Sequence, residues 1–121
     1  MSTGTGDFKQ LLYAARDGDL ESAKYWVQRG ADLNFLHAEF LFTPLHISIR
    51  NGHLNVARYL LENGANPQLA EGYSSETPLL IAQANDDAEA VALLESFGVQ
   101  VKSGFWYRAK QTLWRWLMKL L

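Results

Sequence analysis

Apolar residues recur along this chain at helical spacing, in short segments separated by glycines. The pattern is clearest from Phe42 to Pro67, where apolar positions three and four residues apart fill two segments. Such spacing places side chains on one face of an α-helix. We predict a short helix that ends at Asn51-Gly52 and a second helix over about Leu54 to Glu62, closed by Gly64.

The residues that bound these two helices have known capping roles. Thr43 can cap a helix N-terminus through its hydroxyl, and Pro44 suits the first helical position, whose N–H has no partner within the helix. Gly52 and Gly64 tolerate the positive φ common at helix C-termini. Helices this short are marginal in isolation, so we expect them to stack on neighbouring elements.

The same residues recur 34 positions apart. The correspondences are Thr43-Pro44-Leu45 with Thr77-Pro78-Leu79, Gly52 with Gly18, Gly64 with Gly30 and Gly98, and Ala65-Asn66 with Ala31-Asp32. A fixed period of this size is typical of stacked repeat arrays. The remaining predicted helices are Phe8–Arg16 and Leu20–Arg29 in the first repeat, and Thr77–Asn85 and Ala88–Phe97 in the third.

The central stretch, TPLHISIRNGHLNVARYLLENGAN, resembles the ankyrin repeat. The resemblance covers residues 7–101 and implies an all-α solenoid of three helix-turn-helix repeats, at about 7–40, 41–74 and 75–101, with β-like finger loops. The flanking repeats are degenerate, as expected of terminal repeats with one side facing solvent. The resemblance also implies that His46 links neighbouring repeats through hydrogen bonds. Partners of such arrays usually bind the fingers and first helices.

The first finger, residues 34–43, is unusually apolar for this family. It contains three phenylalanines and neither Gly nor Asp, whereas the second finger, 69–76, is nearer the expected polar turn. One interpretation folds the phenylalanines back onto helix ends. The other exposes an apolar edge for binding, because an extended segment alternates its faces and must turn at least one phenylalanine outward. The sequence leaves both interpretations open.

Composition narrows the class of protein. The chain has no cysteine, which excludes a disulfide framework and a thiolate metal site. MSTGTGDFKQ has neither a basic region nor an apolar run, so we expect no signal peptide, and no uncharged apolar run is long enough to span a membrane. Residues 1–6 are predicted to be disordered, with Asp7 capping the first helix. A cytoplasmic location is expected, with the inner face of a membrane as the alternative.

Charge divides the chain into two parts. Residues 1–101 contain six Lys or Arg and all 13 acidic residues, a net charge of −7, whereas residues 102–121 contain five basic residues and no acid, a net charge of +5. Such asymmetry is typical of a tail with its own partner.

Residues 105–121, FWYRAKQTLWRWLMKLL, match nothing upstream and predict an amphipathic helix. Arg108, Arg115 and Lys119 gather within about 40° on a helical wheel, and Lys110 interrupts the wide apolar arc that fills most of the remaining circle. The helix could cap repeat three, lie in a membrane interface with its basic residues towards anionic lipid, or insert into a protein groove; all three interpretations stay open. The predicted tail contacts are Trp106, Arg108, Lys110, Trp114, Arg115, Trp116 and Lys119.

No constellation of residues predicts catalysis, and we assign no catalytic, cofactor or metal site. His53 is expected to bond loop backbone, and Asp86-Asp87 to cap a helix. The sequence favours a non-enzymatic interaction module, a small adaptor, inhibitor or immunity-type protein, that binds another protein but no nucleic acid. A peripheral membrane protein tethered by the tail is the alternative. The predicted partner contacts are Phe35, Leu36, His37, Glu39, Phe40, Leu41, Phe42, Arg16, Asp17, Arg50, Asn51, Tyr73, Ala84 and Asn85.

Overall fold

The computed structural model describes residues 5–101 and 115–120. Six helices make up the first range: α1 (Thr5–Asp17), α2 (Leu20–Gln28), α3 (Pro44–Arg50), α4 (Leu54–Glu62), α5 (Pro78–Ala84) and α6 (Ala88–Ser96). Residues 115–120 form a further helical segment, α7, and neither described range contains a β-strand. The prediction of an all-α array of helix-turn-helix units is confirmed.

The helix pairs stack side by side. The first helices, α1, α3 and α5, contact one another in order, and the second helices, α2, α4 and α6, do the same. Leu45, Ile49, Val56 and Leu60 in the central pair are fully buried by neighbours on both sides. Each such side chain contributes about 1.5–3 kcal/mol on burial. Stacking therefore supplies the stability that these short helices lack in isolation.

Polar residues cap four of the described helices. The hydroxyls of Thr43 and Thr77 accept the backbone N–H three residues on, at 3.4 and 3.3 Å. Each threonine is followed by a proline inside the first turn. Asp19 and Asp87 each accept the N–H three residues on at 3.1 Å, which caps α2 and α6. The predicted cap at Asp87 is confirmed.

The turn inside each helix pair needs a residue with positive φ. Gly18 and Gly52 take φ values of +74° and +77°, and Asp86 fills the same place in the third pair with φ +52°. Aspartate reaches this region at modest cost, because its short polar side chain can hydrogen-bond locally. Gly18 is constrained twice, since a Cβ there would lie 2.5 Å from Nδ1 of His53.

The first helix begins earlier than the sequence predicted. It starts at Thr5, so that Thr5 and Gly6 are helical and Asp7 lies inside the helix instead of capping it. Phe8 and Leu11 are buried and anchor the following turn. Once such a turn is fixed, adding residues to its end costs far less than nucleating a helix. The capping rule placed the start of the helix after Asp7 and missed this extension.

Candidate functional site

The two fingers adopt the same turn. Leu41 and Ser75, 34 residues apart, both have φ +56°. The Leu41 N–H donates to the His37 carbonyl at 2.8 Å, and the Ser75 N–H donates to the Glu71 carbonyl at 3.1 Å. The expectation that the first finger is an extended segment with alternating faces was wrong, because this hydrogen-bonded turn reverses the chain within it.

An aromatic cluster joins the first finger to the start of α1. Phe8 meets Phe35 edge-to-face with ring centroids 5.4 Å apart, and Phe40 meets Phe42 at 6.1 Å. The imidazole of His37 lies between them, 6.2 Å from Phe8 and 5.5 Å from Phe40. Phe8 is buried, while Phe35 remains 40% exposed. The finger therefore folds against α1 yet presents an aromatic surface.

The other side chains of the first finger differ in how far they are exposed to solvent. Leu36, Leu41 and Phe42 are half-buried, whereas Glu39 is exposed and its backbone N–H donates to Nδ1 of His37 at 3.1 Å. Such local bonds restrict the conformations open to the finger. The predicted contacts in this segment thus form one ordered surface around the aromatic cluster.

A backbone bond ties the second finger to the first. The Gly72 N–H donates to the Leu41 carbonyl at 2.8 Å. A Cβ at Gly72 would lie 3.1 Å from the Leu41 side chain, so the two chains approach closely. Next to this junction the Tyr73 side chain is 87% exposed. The structure thus brings two predicted partner contacts, Leu41 and Tyr73, to one continuous surface.

Arg50 reaches from the end of α3 to the second finger. Its Nη2 lies 2.7 Å from Oε1 of Glu71 and 3.3 Å from Oε2 of Glu76. The closer contact is an ion pair by distance but lacks hydrogen-bond alignment. Ser74 Oγ donates to the other Glu71 oxygen at 2.7 Å. These contacts fix the finger, and they also occupy an arginine that the sequence assigned to partner binding.

His46 holds the central repeat to the same finger. Its Nδ1 accepts the Thr43 N–H at 3.0 Å, so Nε2 carries the proton and donates to the Leu69 carbonyl at 2.7 Å. The ring is fully buried, and burial lowers the pKa of His46 below its ordinary value. A neutral imidazole with both nitrogens bonded has a structural role, as the family resemblance implied, but its partners Thr43 and Leu69 lie within repeat two and not in a neighbouring repeat.

Side-chain bonds also cross between repeats at the ends of the first helices. Asn51 Nδ2 donates to the Arg16 carbonyl at 3.1 Å, and Asn85 Nδ2 donates to the Arg50 carbonyl at 3.0 Å, an identical link one repeat later. His53 Nε2–H also donates to the Arg16 carbonyl at 3.0 Å, so it bonds backbone as predicted, but at the end of helix α1 and not in a loop. Two of the predicted partner contacts, Asn51 and Asn85, thus have structural partners within the array.

At the C-terminal end of α1, the side chains of Arg16 and Asp17 are exposed to solvent. Arg16 Nε donates to Oδ1 of Asp17 at 2.8 Å, and this bond lowers the pKa of the Asp17 carboxyl. The Arg16 guanidinium also lies over the Tyr13 ring, 5.0 Å from its centroid. Ala84, the matching position in α5, is exposed and offers only a methyl group. At these helix ends the exposed charged side chains are therefore Arg16 and Asp17, on the first repeat.

One comparison decides the family. The family model for ankyrin repeats, in three copies, matches residues 11–103, which is most of the chain. The chain belongs to the ankyrin repeat family. No curated relative matches it at a significant level. Ankyrin repeats are generic protein–protein interaction modules, and members of the family are typically non-enzymatic. Within the described residues of this ankyrin array, no group of three His, Cys, Asp or Glu side chains could hold a metal ion.

Sequence reasoning missed three residues of this ankyrin surface, all on α1. Phe8 anchors the aromatic cluster, Lys9 places its Nζ 6.0 Å from the Phe40 ring centroid, and Tyr13 is 39% exposed beside Arg16. A signal for Tyr13 was present, because the 34-residue offset aligns it with Ile47, a half-buried position on α3. No local signal identifies Phe8 or Lys9, since both act through a finger about 30 residues away.

Within the part of the chain that the structure describes, the third ankyrin repeat leaves one end of the stack open to solvent. Leu12, His46 and Leu80 occupy the same position in successive repeats, and their exposures are 3%, 0% and 49%. Within residues 5–101 and 115–120, no further repeat covers the third. Beside it an open cleft of about 440 Å³ is lined by Pro67, Gln68, Thr77, Leu79, Gly98, Val99 and Gln100.

The described part of the tail is wholly exposed. All six side chains of α7 face solvent, with Trp116 60%, Met118 63% and Leu120 66% exposed. Four predicted tail contacts, Trp106, Arg108, Lys110 and Trp114, lie outside the described residues. No described helix is long and apolar enough to cross a bilayer. That the tail caps repeat three stays a prediction.

Proposed function

We propose that this ankyrin array is a binding module whose partner protein contacts the two fingers and the exposed end of α1. One observation carries the proposal: Phe35 and Tyr73 are large, exposed aromatic side chains on adjacent fingers that a backbone bond joins through Leu41. Aromatic residues are enriched among the positions that dominate binding energy. A surface that hydrogen bonds already hold in shape loses little conformational entropy on binding.

The polar side of this surface supports the same role. Tyr13, Arg16 and Asp17 lie exposed on the same first helix that carries the aromatic cluster. Arginine and tyrosine are, with tryptophan, the residue types most often found at the centre of protein interfaces. Three repeats provide a footprint on the order of 800 Å² per partner, the size of a standard interface.

A module of this size acts by occupying its partner or by bringing it to a third component. We therefore propose an adaptor or an inhibitor, including the immunity type, located in the cytoplasm. The array's net charge of −7 favours partners with a basic surface, because complementary potentials raise association rates.

Affinity capture tests the finger surface. The full-length protein is immobilised and exposed to lysate of its source organism, beside Tyr73→Ser and Tyr25→Ser variants. Tyr25 is the matched control, since it is 51% exposed but lies on α2. We expect Tyr73→Ser to lower recovery of the partner by about tenfold or more, with an unchanged melting temperature. Equal losses in both variants would contradict the proposed surface.

The tail supports a second candidate function, that of a peripheral membrane tether. Four apolar side chains of α7, Trp116, Leu117, Met118 and Leu120, are exposed together. Clusters of exposed apolar side chains tend to mark interaction sites. We propose that the tail holds the array at a membrane while the fingers bind a partner. Fractionation of cells is the test: the full chain should sediment with membranes, and a Trp116→Ser variant should remain in the supernatant.

A further inference from the structure

The side chains of α7 separate by chemistry around the helix. At about 100° per residue, Arg115 and Lys119 lie about 40° apart, while Trp116, Leu120, Leu117 and Met118 span an arc of about 200°. All six are exposed. A helix surrounded by water would carry polar side chains over most of its circumference. The wide apolar arc of α7 instead faces solvent among the described residues.

The charges of the tail are of one sign. Residues 102–121 contain five basic residues and no acid, in a chain whose other residues contain 13 acids. Every side chain in this segment that is charged at pH 7 is therefore attracted to a negatively charged surface. A basic residue near an anionic bilayer contributes about 1 kcal/mol to binding.

We propose that the tail lies in the plane of an anionic lipid surface, with its apolar arc in the acyl boundary and Arg115 and Lys119 at the phosphates. This inference rests on the proposed tether function and adds the lipid class that it requires. Tryptophan suits the boundary, because its ring is apolar and its indole N–H can meet a polar group. Long basic side chains reach the headgroups while their methylene stems stay in apolar surroundings.

A lipid surface fits these observations better than a protein groove. A helix in a groove anchors a narrow row of side chains spaced three and four residues apart, whereas the apolar arc of α7 covers more than half the circumference. A wide apolar face with a strongly basic remainder is typical of helices that lie in a membrane interface.

The array and the tail respond oppositely to such a surface. Residues 1–101 have a net charge of −7 and are repelled by anionic lipid, whereas the tail is attracted. The array is therefore held away from the bilayer, which leaves the fingers accessible to a protein partner. Attachment through the tail and binding through the fingers are compatible in one molecule.

Vesicle co-sedimentation of the full-length protein tests the inference. Two vesicle compositions are compared, phosphatidylcholine alone and an equimolar mixture with phosphatidylglycerol. The Arg115→Gln/Lys119→Gln variant removes two tail charges, and Arg29→Gln/Arg58→Gln removes two exposed charges from the array as the matched control. We expect the wild type to prefer the mixed vesicles, and the tail variant to bind them about 30-fold more weakly. The control should bind like the wild type or more weakly by less than about twofold.

Three outcomes overturn the inference in distinguishable ways. Equal binding to both vesicle types would refute the anionic preference while leaving the membrane tether intact. Binding to neither would refute the tether as well. A lipid-free dimer in sedimentation velocity that Trp116→Ser abolishes, together with no vesicle binding, would identify a second copy as the partner of the tail.

Discussion

Replacing Gly18 by alanine tests how the first two repeats are joined. Gly18 has φ +74°, and an alanine Cβ at this position would lie 2.5 Å from Nδ1 and 2.8 Å from Cε1 of His53. Atoms cannot approach so closely, so the imidazole must move. That ring donates a hydrogen bond to the Arg16 carbonyl at 3.0 Å, which links repeat two to repeat one.

The expected cost has two separable parts. A non-glycine residue in the left-handed region costs about 1–2 kcal/mol. Displacing the ring adds about 0.5–1.5 kcal/mol for the lost hydrogen bond and about 0.5–1.5 kcal/mol if His53 is forced from its rotamer. We therefore expect Gly18→Ala to lower the free energy of unfolding by about 2–5 kcal/mol.

Gly52→Ala is the matched control. Gly52 has φ +77°, but nothing lies within 4 Å of its added Cβ. This variant should therefore lose only the backbone part, about 1–2 kcal/mol. Urea unfolding followed by circular dichroism measures both variants, and an unchanged slope against denaturant validates the comparison.

A double-mutant cycle isolates the contact with His53. In a His53→Ala background the collision is absent, so Gly18→Ala should cost about as much as Gly52→Ala does in the wild type. The coupling energy should be at least about 1 kcal/mol, as for residues in direct contact. Equal losses for Gly18→Ala and Gly52→Ala in the wild type, or a fully additive cycle, would refute this account of the junction.

Three further predictions concern the stack. Burial lowers the pKa of His46 in the folded protein, so the unfolded chain binds a proton at this side chain more tightly than the folded protein does. The stability that neutral His46 confers is therefore present above the ordinary pKa of 6.5. This stability is lost as the pH falls below that value. Urea midpoints at neutral and mildly acidic pH should show this decline, and a His46→Gln variant that declines just as steeply would contradict it. Leu12→Ala should lower the free energy of unfolding by about 2–5 kcal/mol because Leu12 is buried. Leu80→Ala should lower it by about 1 kcal/mol or less because Leu80 is half exposed. Equal shifts of the urea midpoint in the two variants would show that the end of the stack is covered. Asn85→Ala should cost about 0.5–1.5 kcal/mol through its lost bond to the Arg50 carbonyl, and an unchanged midpoint would show that water replaces the link.

The helices were predictable because their boundaries are local. Thr43, Pro44 and Gly52 act on backbone groups within a few residues, so the bounds of α3 and α4 follow from the sequence alone. The fingers were not predictable in the same way. Leu41 adopts a positive φ that leucine disfavours, and the bond from Gly72 that accompanies it comes from the second finger, about 30 residues later.

The candidate site, like the fold, was predictable from the sequence only in part. The sequence assigned Tyr73 to the surface, and the structure shows it largely exposed. It also assigned Arg50, Asn51 and Asn85, whose side chains contact residues of a neighbouring repeat. In the sequence, an exposed polar residue at a helix end looks the same whether it binds a partner protein or bonds to a neighbouring repeat. Only a residue about 30 positions away distinguishes these two roles.

Site-specific photo-crosslinking tests the central claim most directly, namely that this array binds a protein through its fingers. A photoreactive phenylalanine analogue replaces Tyr73 on the second finger or, separately, Tyr25 on α2, both exposed in the free protein. Illumination of cells that contain the full-length protein should yield a discrete adduct with another protein from position 73 and none from position 25. Adducts from position 25 alone, or the same adducts from both positions, would contradict binding through the fingers.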